Sequence, residues 1–233
     1  MTNRDQQVAI VTGASRGLGL ALARHLAANG FALIIDARGI DELERARAEL
    51  ARATNVTALS GDVSDPEHRR MLIAAAGGRL DLLVNNASIL GPSPQPILAD
   101  YPLDFLEHVY RTNVIGPLGL IQLALPLLRD SHGTVINITS DAALEPYEGW
   151  GGYGSSKAAL EQVSRILAAE ENQIRVYWVD PGDMNTQMHQ EAFPGQDISD
   201  RPSPEASVPG LVELIDGQRP SGRYSARDLV SAT

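Results

Sequence analysis

The sequence predicts an α/β fold, a doubly wound parallel sheet with helices on both faces, giving three α/β/α layers in one domain over residues 1–233. Three observations predict it. Six short apolar runs, Val8–Thr12, Ala32–Ile35, Val56–Leu59, Leu80–Asn85, Thr134–Thr139 and Ile174–Val179, alternate with helical patterns. Strands separated by helices run parallel, because each crossover returns the chain to the same end of the sheet. A glycine-rich turn follows the first run, and polar residues of chemical interest gather where later runs end. The C-terminal ends of such strands are where a doubly wound sheet opens its crevice.

The first run, Val8 to Thr12, leads into Gly13-Ala-Ser15-Arg16-Gly17-Leu18-Gly19, and a helical pattern of Leu20, Leu22, Ala23, Leu26 and Ala27 follows. Strand, glycine turn and helix in that order form a dinucleotide cradle. Glycine permits the tight turn and a close backbone approach, and the helix start offers free N–H groups to phosphate. The spacing is GxxxGxG rather than the general GxGxxG. Asp36 and Arg38 follow the second run. The fourth run ends in Asn85-Asn86-Ala87-Ser88. Amides there can tie neighbouring strand ends together, and small residues leave room for a flat ring.

A long apolar helix is predicted over Leu103–Arg129, with Asn113 inside it and Gly116-Pro117 just after. Proline removes a helix hydrogen bond and bends the helix there. The fifth run delivers Ser140 at its end. A second helix is predicted over Tyr153–Ala169, with Tyr153 and Lys157 four residues apart on one face. A phenol near an ammonium is expected to hold its proton less tightly, which suits carbonyl–alcohol proton transfer. The sixth run stops at Pro181-Gly182, with Thr186 beyond. The segment 184–209 is rich in Pro, Asp, Gln and Ser and reads as a mobile lid with one short helix. Each signal alone has a plain alternative, such as a solvated Tyr–Lys pair or an ordinary strand-ending turn. Their placement at one end of the sheet favours a shared site.

Composition narrows the function. A net charge of -10 argues against sequence-independent nucleic-acid binding, which needs clustered cations. No run of eighteen apolar residues suggests a membrane span. The polar start, Met1 to Gln7, lacks a signal-peptide core, which points to the cytoplasm. The chain has no cysteine, which excludes disulfides and thiolate metal sites, and its five histidines show no ligand spacing. No metal site is expected.

Together these motifs, from about Val8 to Thr186, resemble the classical branch of the short-chain dehydrogenase/reductase family. The resemblance implies a Rossmann-type fold and hydride transfer between a nicotinamide cofactor and a carbonyl/alcohol pair. It implies Tyr153 as general acid and base, Lys157 as its electrostatic partner and ribose ligand, and Ser140 as a donor to the substrate oxygen. Asn113 would hold a water linking Lys157 to solvent. Gly13, Ser15, Arg16, Gly17, Leu18 and Gly19 would surround the phosphates. Asp62 and Val63 would flank the adenine, and Asn86, Ala87 and Ser88 the ribose. Pro181, Gly182 and Thr186 would seat the nicotinamide. Two departures stand out. Ser88 replaces the family's usual glycine, a small-for-small change expected to matter little. The chain also ends soon after Gly222-Arg-Tyr-Ser225, which resembles the last strand. Family members pair the two long helices across a subunit interface, so a homodimer or homotetramer is implied.

Cofactor choice carries opposing signals. Asp36 resembles the acid that binds adenosine ribose hydroxyls and selects NAD(H). It falls one residue short of the usual place, which holds Ala37, and strand alternation can turn its side chain away. Arg38 and Arg16 match basic positions of NADP(H)-using members, where two guanidiniums can clamp a phosphate. NADP(H) is favoured, with NAD(H) as the alternative. A different class of function, cofactor sensing without turnover, is disfavoured because Asn113, Ser140, Tyr153 and Lys157 are all present. The candidate substrate wall, Ile89, Leu90, Ala142, Tyr147, Trp150, Met184 and Met188, is mostly apolar and suggests a neutral, moderately hydrophobic carbonyl or alcohol.

Overall fold

A computed structural model describes residues 6–231. Its strands are β1 (Val8–Val11), β2 (Ala32–Ala37), β3 (Val56–Ser60), β4 (Leu82–Asn85), β5 (Thr134–Ile138), β6 (Arg175–Asp180) and β7 (Gly222–Ser225). They form one parallel sheet in the order β3-β2-β1-β4-β5-β6-β7. The chain builds outward from β1 to β3, then returns to place β4 on the other side of β1. That reversal opens a crevice between the C-terminal ends of β1 and β4.

Alternation along the strands divides the core in two. Ala9, Val11, Leu33, Ile35 and Val84 face α1 (Gly17–Ala28), α2 (Ile40–Leu50) and α8 (Val208–Asp216). Ile10, Ile34, Leu83, Val135 and Val176 face α3 (Pro66–Ala75), α5 (Gly116–Ser131) and α6 (Gly151–Glu170). Strands buried on both faces are continuous apolar runs, and this is why they could be read from sequence.

The long helix predicted over Leu103–Arg129 is three segments. α4 (Leu103–Tyr110) passes through a π turn, Arg111–Ile115, into α5. Asn113 sits in that π turn, and Pro117, which has no N–H to give the helix, follows it at the start of α5. By length and composition alone Leu103–Ser131 could cross a membrane. Here Leu120, Ile121, Ala124 and Leu128 pack onto the sheet as core. Much of the apolar surface expected to meet a partner is therefore internal. The outward remainder is Leu103, Phe105, Ile115 and Leu123, with Ile166 on α6. The segment 184–209 carries one short α-helix, α7 (Gln187–Ala192), and a 3-10 turn at Pro204–Ser207. A last helix, α9 (Ala226–Ser231), follows β7.

Candidate active site

The glycine turn after β1 is held by side chains from three other elements. Gly13 and Gly17 have φ of 65° and 57°, a region that favours glycine. A Cβ on Gly19 would stand 2.5 Å from the Gly13 carbonyl oxygen and 2.6 Å from Asn86 Nδ2. From the end of β4, Asn86 Nδ2 donates to the carbonyls of Thr12 (2.8 Å) and Gly13 (3.1 Å). The backbone N–H groups of Asn86 and Ala87 donate to Thr12 Oγ1. The two lips of the crevice are thus laced together. Beside them Asn85 Nδ2 donates to Asn137 Oδ1, and Asn137 Nδ2 to Ser164 Oγ on α6, both at 2.8 Å.

The Asp36 carboxylate is bonded within the chain. It is 2% exposed. Its Oδ1 accepts from Gly13 N at 2.7 Å, and its Oδ2 lies 3.0 Å from His68 Nε2. Burial pushes its pKa up, while the His68 and Gly13 contacts act against that. The carboxylate that resembled a ribose ligand therefore anchors the glycine turn, and His68, unremarked in the sequence, is its partner. Ala37 and the exposed Arg38 take the outer positions. Arg16 is also exposed and donates to Gln187 Oε1 on α7 at 2.5 Å. Burial opposes the charge of Asp62, but Ser64, Arg38 and His108 together hold its carboxyl below the ordinary range.

Tyr153 and Lys157 rise from the first turns of α6 against the end of β5. Lys157 is 2% exposed, donates to the Ile138 carbonyl at 2.8 Å, and lies 5.4 Å from the Tyr153 ring centre. Burial lowers its pKa to about 7. Tyr153 is driven the opposite way to expectation. Burial comes first, then the charges of Asp180 and Asp141, and they push the phenol up; contacts with Ser88 and Ser140 pull it down. Ser140 donates to Asp141 Oδ1 at 2.9 Å, and Asp141 Oδ2 accepts from Tyr147.

The side-chain amide of Asn113 is fully engaged within the chain. Its Oδ1 accepts from Ile89 N (2.9 Å) and Ser88 Oγ (3.1 Å), and its Nδ2 donates to the Ile89 carbonyl and Ser156 Oγ. A fully bonded amide has no valence left, so a relay here would have to use the backbone carbonyl. Thr186 Oγ1 likewise accepts from His189 N as the N-cap of α7. Gly182 has φ 75°, and its N–H donates to Asp180 Oδ1.

A cleft of about 880 Å³ runs across these elements. Every residue proposed for catalysis or cofactor contact lines it except Gly19 and Asn113, which stand behind the lining. The cradle that a Cβ would fill, the positive-φ glycines and the free N–H groups at the start of α1 fit a dinucleotide pyrophosphate. Of the expected substrate wall, Ile89, Leu90, Trp150, Met184 and Met188 line the cleft. Ala142 packs behind Tyr153, and Tyr147 lies outside the lining. The wall is more acidic than expected: Asp141, Asp180, Asp183 and Glu191 also line it. Among the described residues no His, Asp and Glu cluster could hold a metal ion.

Beneath the site lies a network the sequence did not suggest. Arg223 on β7 donates to buried Glu161 on α6 at 2.9 Å and approaches Asp180 at 3.6 Å. Thr139 Oγ1 donates to the same Glu161 oxygen. The available signal was Glu161 standing four residues past Lys157 on one helix face.

The short chain dehydrogenase family model matches residues 7–197. The chain is 34% identical to sepiapterin reductase of Mus musculus, over 79% of this chain and 77% of that protein. It is 36% identical to the rhamnolipids biosynthesis 3-oxoacyl-[acyl-carrier-protein] reductase of Pseudomonas aeruginosa, over 97% of this chain and 86% of the relative. Among solved structures, the alcohol dehydrogenase of the archaeon Thermococcus sibiricus, complexed with 5-hydroxy-NADP, superposes with a TM-score of 0.86. That pair is 26% identical, covering 95% of this chain and 96% of the other.

Proposed function

The chain belongs to the short-chain dehydrogenase family, oxidoreductases acting on CH–OH and C=O groups, and on that premise we propose that it reduces a neutral, moderately hydrophobic ketone or aldehyde with NADPH. The observation that carries the reading is one continuous cleft lined by the glycine turn at one end and by Ser140, Tyr153 and Lys157 at the other. NADPH, when bound, supplies the hydride.

The chain's own groups do the rest. Tyr153 gives its proton to the carbonyl oxygen as charge grows there, and takes it back in alcohol oxidation. Ser140, whose hydroxyl hydrogen rests on Asp141 in the free cleft, would turn it to the same oxygen. Lys157, held by the Ile138 carbonyl, supplies positive charge beside the phenol once it is protonated, and it is a candidate ligand of the ribose hydroxyls. Pro181, Gly182 and Thr186, which line the cleft, would seat the nicotinamide. The segment 184–209 covers the cleft as a lid within one domain. Carboxylates along the wall repel anionic substrates, while Leu90, Trp150 and Met188 favour an apolar substituent.

The preference for NADPH rests on Asp36. Its carboxylate oxygens are taken up by Gly13 N–H and His68, which leaves them no place for ribose hydroxyls, and Arg38 and Arg16 stand at the cleft beside it. The NADP analogue held by the Thermococcus sibiricus enzyme supports the same choice. The exposed Leu103, Phe105, Ile115, Leu123 and Ile166 support a homodimer or homotetramer. The proposal is tested by a panel of neutral, anionic and cationic carbonyls with each cofactor. Turnover of neutral ketones or aldehydes with NADPH ahead of NADH is expected. No turnover of any carbonyl would refute the reading.

A further inference from the structure

The end of β5 is held at consecutive residues by side chains from two other elements. Lys157 on α6 donates to the Ile138 carbonyl at 2.8 Å. One turn further along that helix, buried Glu161 accepts the Thr139 hydroxyl on its Oε1 at 2.8 Å. The hold on Ser140 comes from β7. Arg223 Nη2 donates to the Ser140 carbonyl at 3.4 Å, and Ala143 N donates to the same carbonyl at 3.1 Å. Arg223 Nε donates to the Glu161 oxygen that Thr139 uses, at 2.9 Å. Its Nη2 also stands 3.6 Å from Asp180 Oδ2, and Asp180 Oδ1 accepts from Gly182 N at 2.9 Å.

These contacts fall where the sheet stops supporting the chain. The register of β5 on β6 ends with Ile138 opposite Val179, and Thr139 N adds one bond to the Val179 carbonyl. Ser140 lies past that bond, at the entry to the 3-10 turn Asp141–Ala143. Its hydroxyl must still meet the same substrate oxygen as Tyr153, which α6 carries. A planar guanidinium has several donors in a fixed fork, so it can hold a carboxylate on α6 and the Ser140 carbonyl together. An ammonium is a single point of charge on a flexible stem and does not fix that geometry.

We propose, resting on the roles given to Ser140 and Tyr153, that Arg223 is a positioning residue. It ties the Ser140 backbone to Glu161 on α6 and so sets the Ser140 hydroxyl against Tyr153. The last strand thereby serves the reaction without touching substrate.

The test measures kcat, KM and NADPH affinity in the full chain, with rates counted per NADPH-binding site. Arg223→Met alone leaves a buried carboxylate without its partner and can fail to fold. It is therefore run beside Arg223→Met/Glu161→Gln, which removes both charges. The double variant keeps an acceptor for Thr139 and loses the hold on Ser140. Its kcat should fall by about tenfold to 100-fold, with KM and NADPH affinity within about threefold, because a misplaced donor is felt most in the transition state. Arg223→Lys keeps a charge beside Glu161 but not the fork, so its kcat should fall as well. In a Ser140→Ala background the double change should cost less than about threefold more, since the hydroxyl it positions is gone. A wild-type rate per binding site in the double variant would make the network structural only and overturn the proposal. An equal loss in both backgrounds, or a full rate in Arg223→Lys, would overturn it too. If Ser140→Ala alone keeps the wild-type rate, the reading of Ser140 has failed and the role of Arg223 falls with it. A slow Ser140→Ala beside a fast double variant overturns the role of Arg223 alone.

Discussion

Asp36→Ala separates the anchoring role of this residue from the ribose-ligand role that its position suggested. In the native chain Asp36 accepts from Gly13 N at 2.7 Å and lies 3.0 Å from His68 Nε2. His68 is 1% exposed, and its Nδ1 already has no hydrogen-bond partner. The substitution leaves a buried imidazole with neither nitrogen paired and a glycine-turn N–H without its acceptor. Each such loss costs about 1–3 kcal/mol, so about 3–5 kcal/mol together is expected. For a chain of this size that lowers Tm by roughly 10 °C. The same change frees the Gly13 end of the turn, so NADPH and NADH should weaken together, each about tenfold. Calorimetry gives the first quantity and fluorescence titration the second. A variant with wild-type Tm that gains selectively for NADPH would refute this reasoning and restore Asp36 as the cofactor selector.

Arg38→Ala should weaken NADPH by about 10–100-fold in a fluorescence titration and leave NADH nearly unchanged, as loss of a charge-assisted phosphate contact requires; equal weakening would count against it. Lys157→Met should alter stability against pH without added cofactor. Burial lowers Lys157 to about 7 from its ordinary 10.5, so between those values the unfolded chain binds a proton that the folded chain lacks. Wild-type stability then rises with pH in that window, by about 2 kcal/mol relative to the variant between pH 7.5 and 9.5. Parallel curves in urea melts would contradict the depressed value. Light scattering at micromolar concentration should give a dimer or tetramer, and Phe105→Glu with Ile166→Glu should shift it toward monomer; a monomeric wild type would remove the proposed interface.

Local signals carried much of the architecture. Strands buried on both faces are short apolar runs, so all six principal strands could be placed within a few residues, and Gly222–Ser225 followed from resemblance. The glycine turn and the Asn85–Ser88 segment were readable because their chemistry is local to a few positions. Side-chain partners distant in sequence were not. The link from Asp36 to His68 spans 32 residues, and that from Glu161 to Arg223 spans 62. Asn113, Gly116 and Pro117 signalled a bend, but a π turn is a matter of register that residue types do not specify. The Tyr153–Lys157 spacing gave proximity and missed burial, which controls both proton affinities. The acidity of the substrate wall escaped notice because Asp141, Asp183 and Glu191 lie outside the strands that framed the search.

The central claim is that Tyr153 delivers the proton to a substrate carbonyl in this cleft. Tyr153→Phe keeps the ring against Trp150, Leu90 and Ala142 and removes only the hydroxyl. Steady-state rates with the best carbonyl of the panel, beside NADPH affinity by fluorescence, measure the two consequences separately. The account predicts a fall in kcat of at least about 100-fold, the lower end for a positioned acid, with affinity within about twofold of wild type. A variant that keeps more than about a tenth of the wild-type rate, with the same affinity, would contradict it.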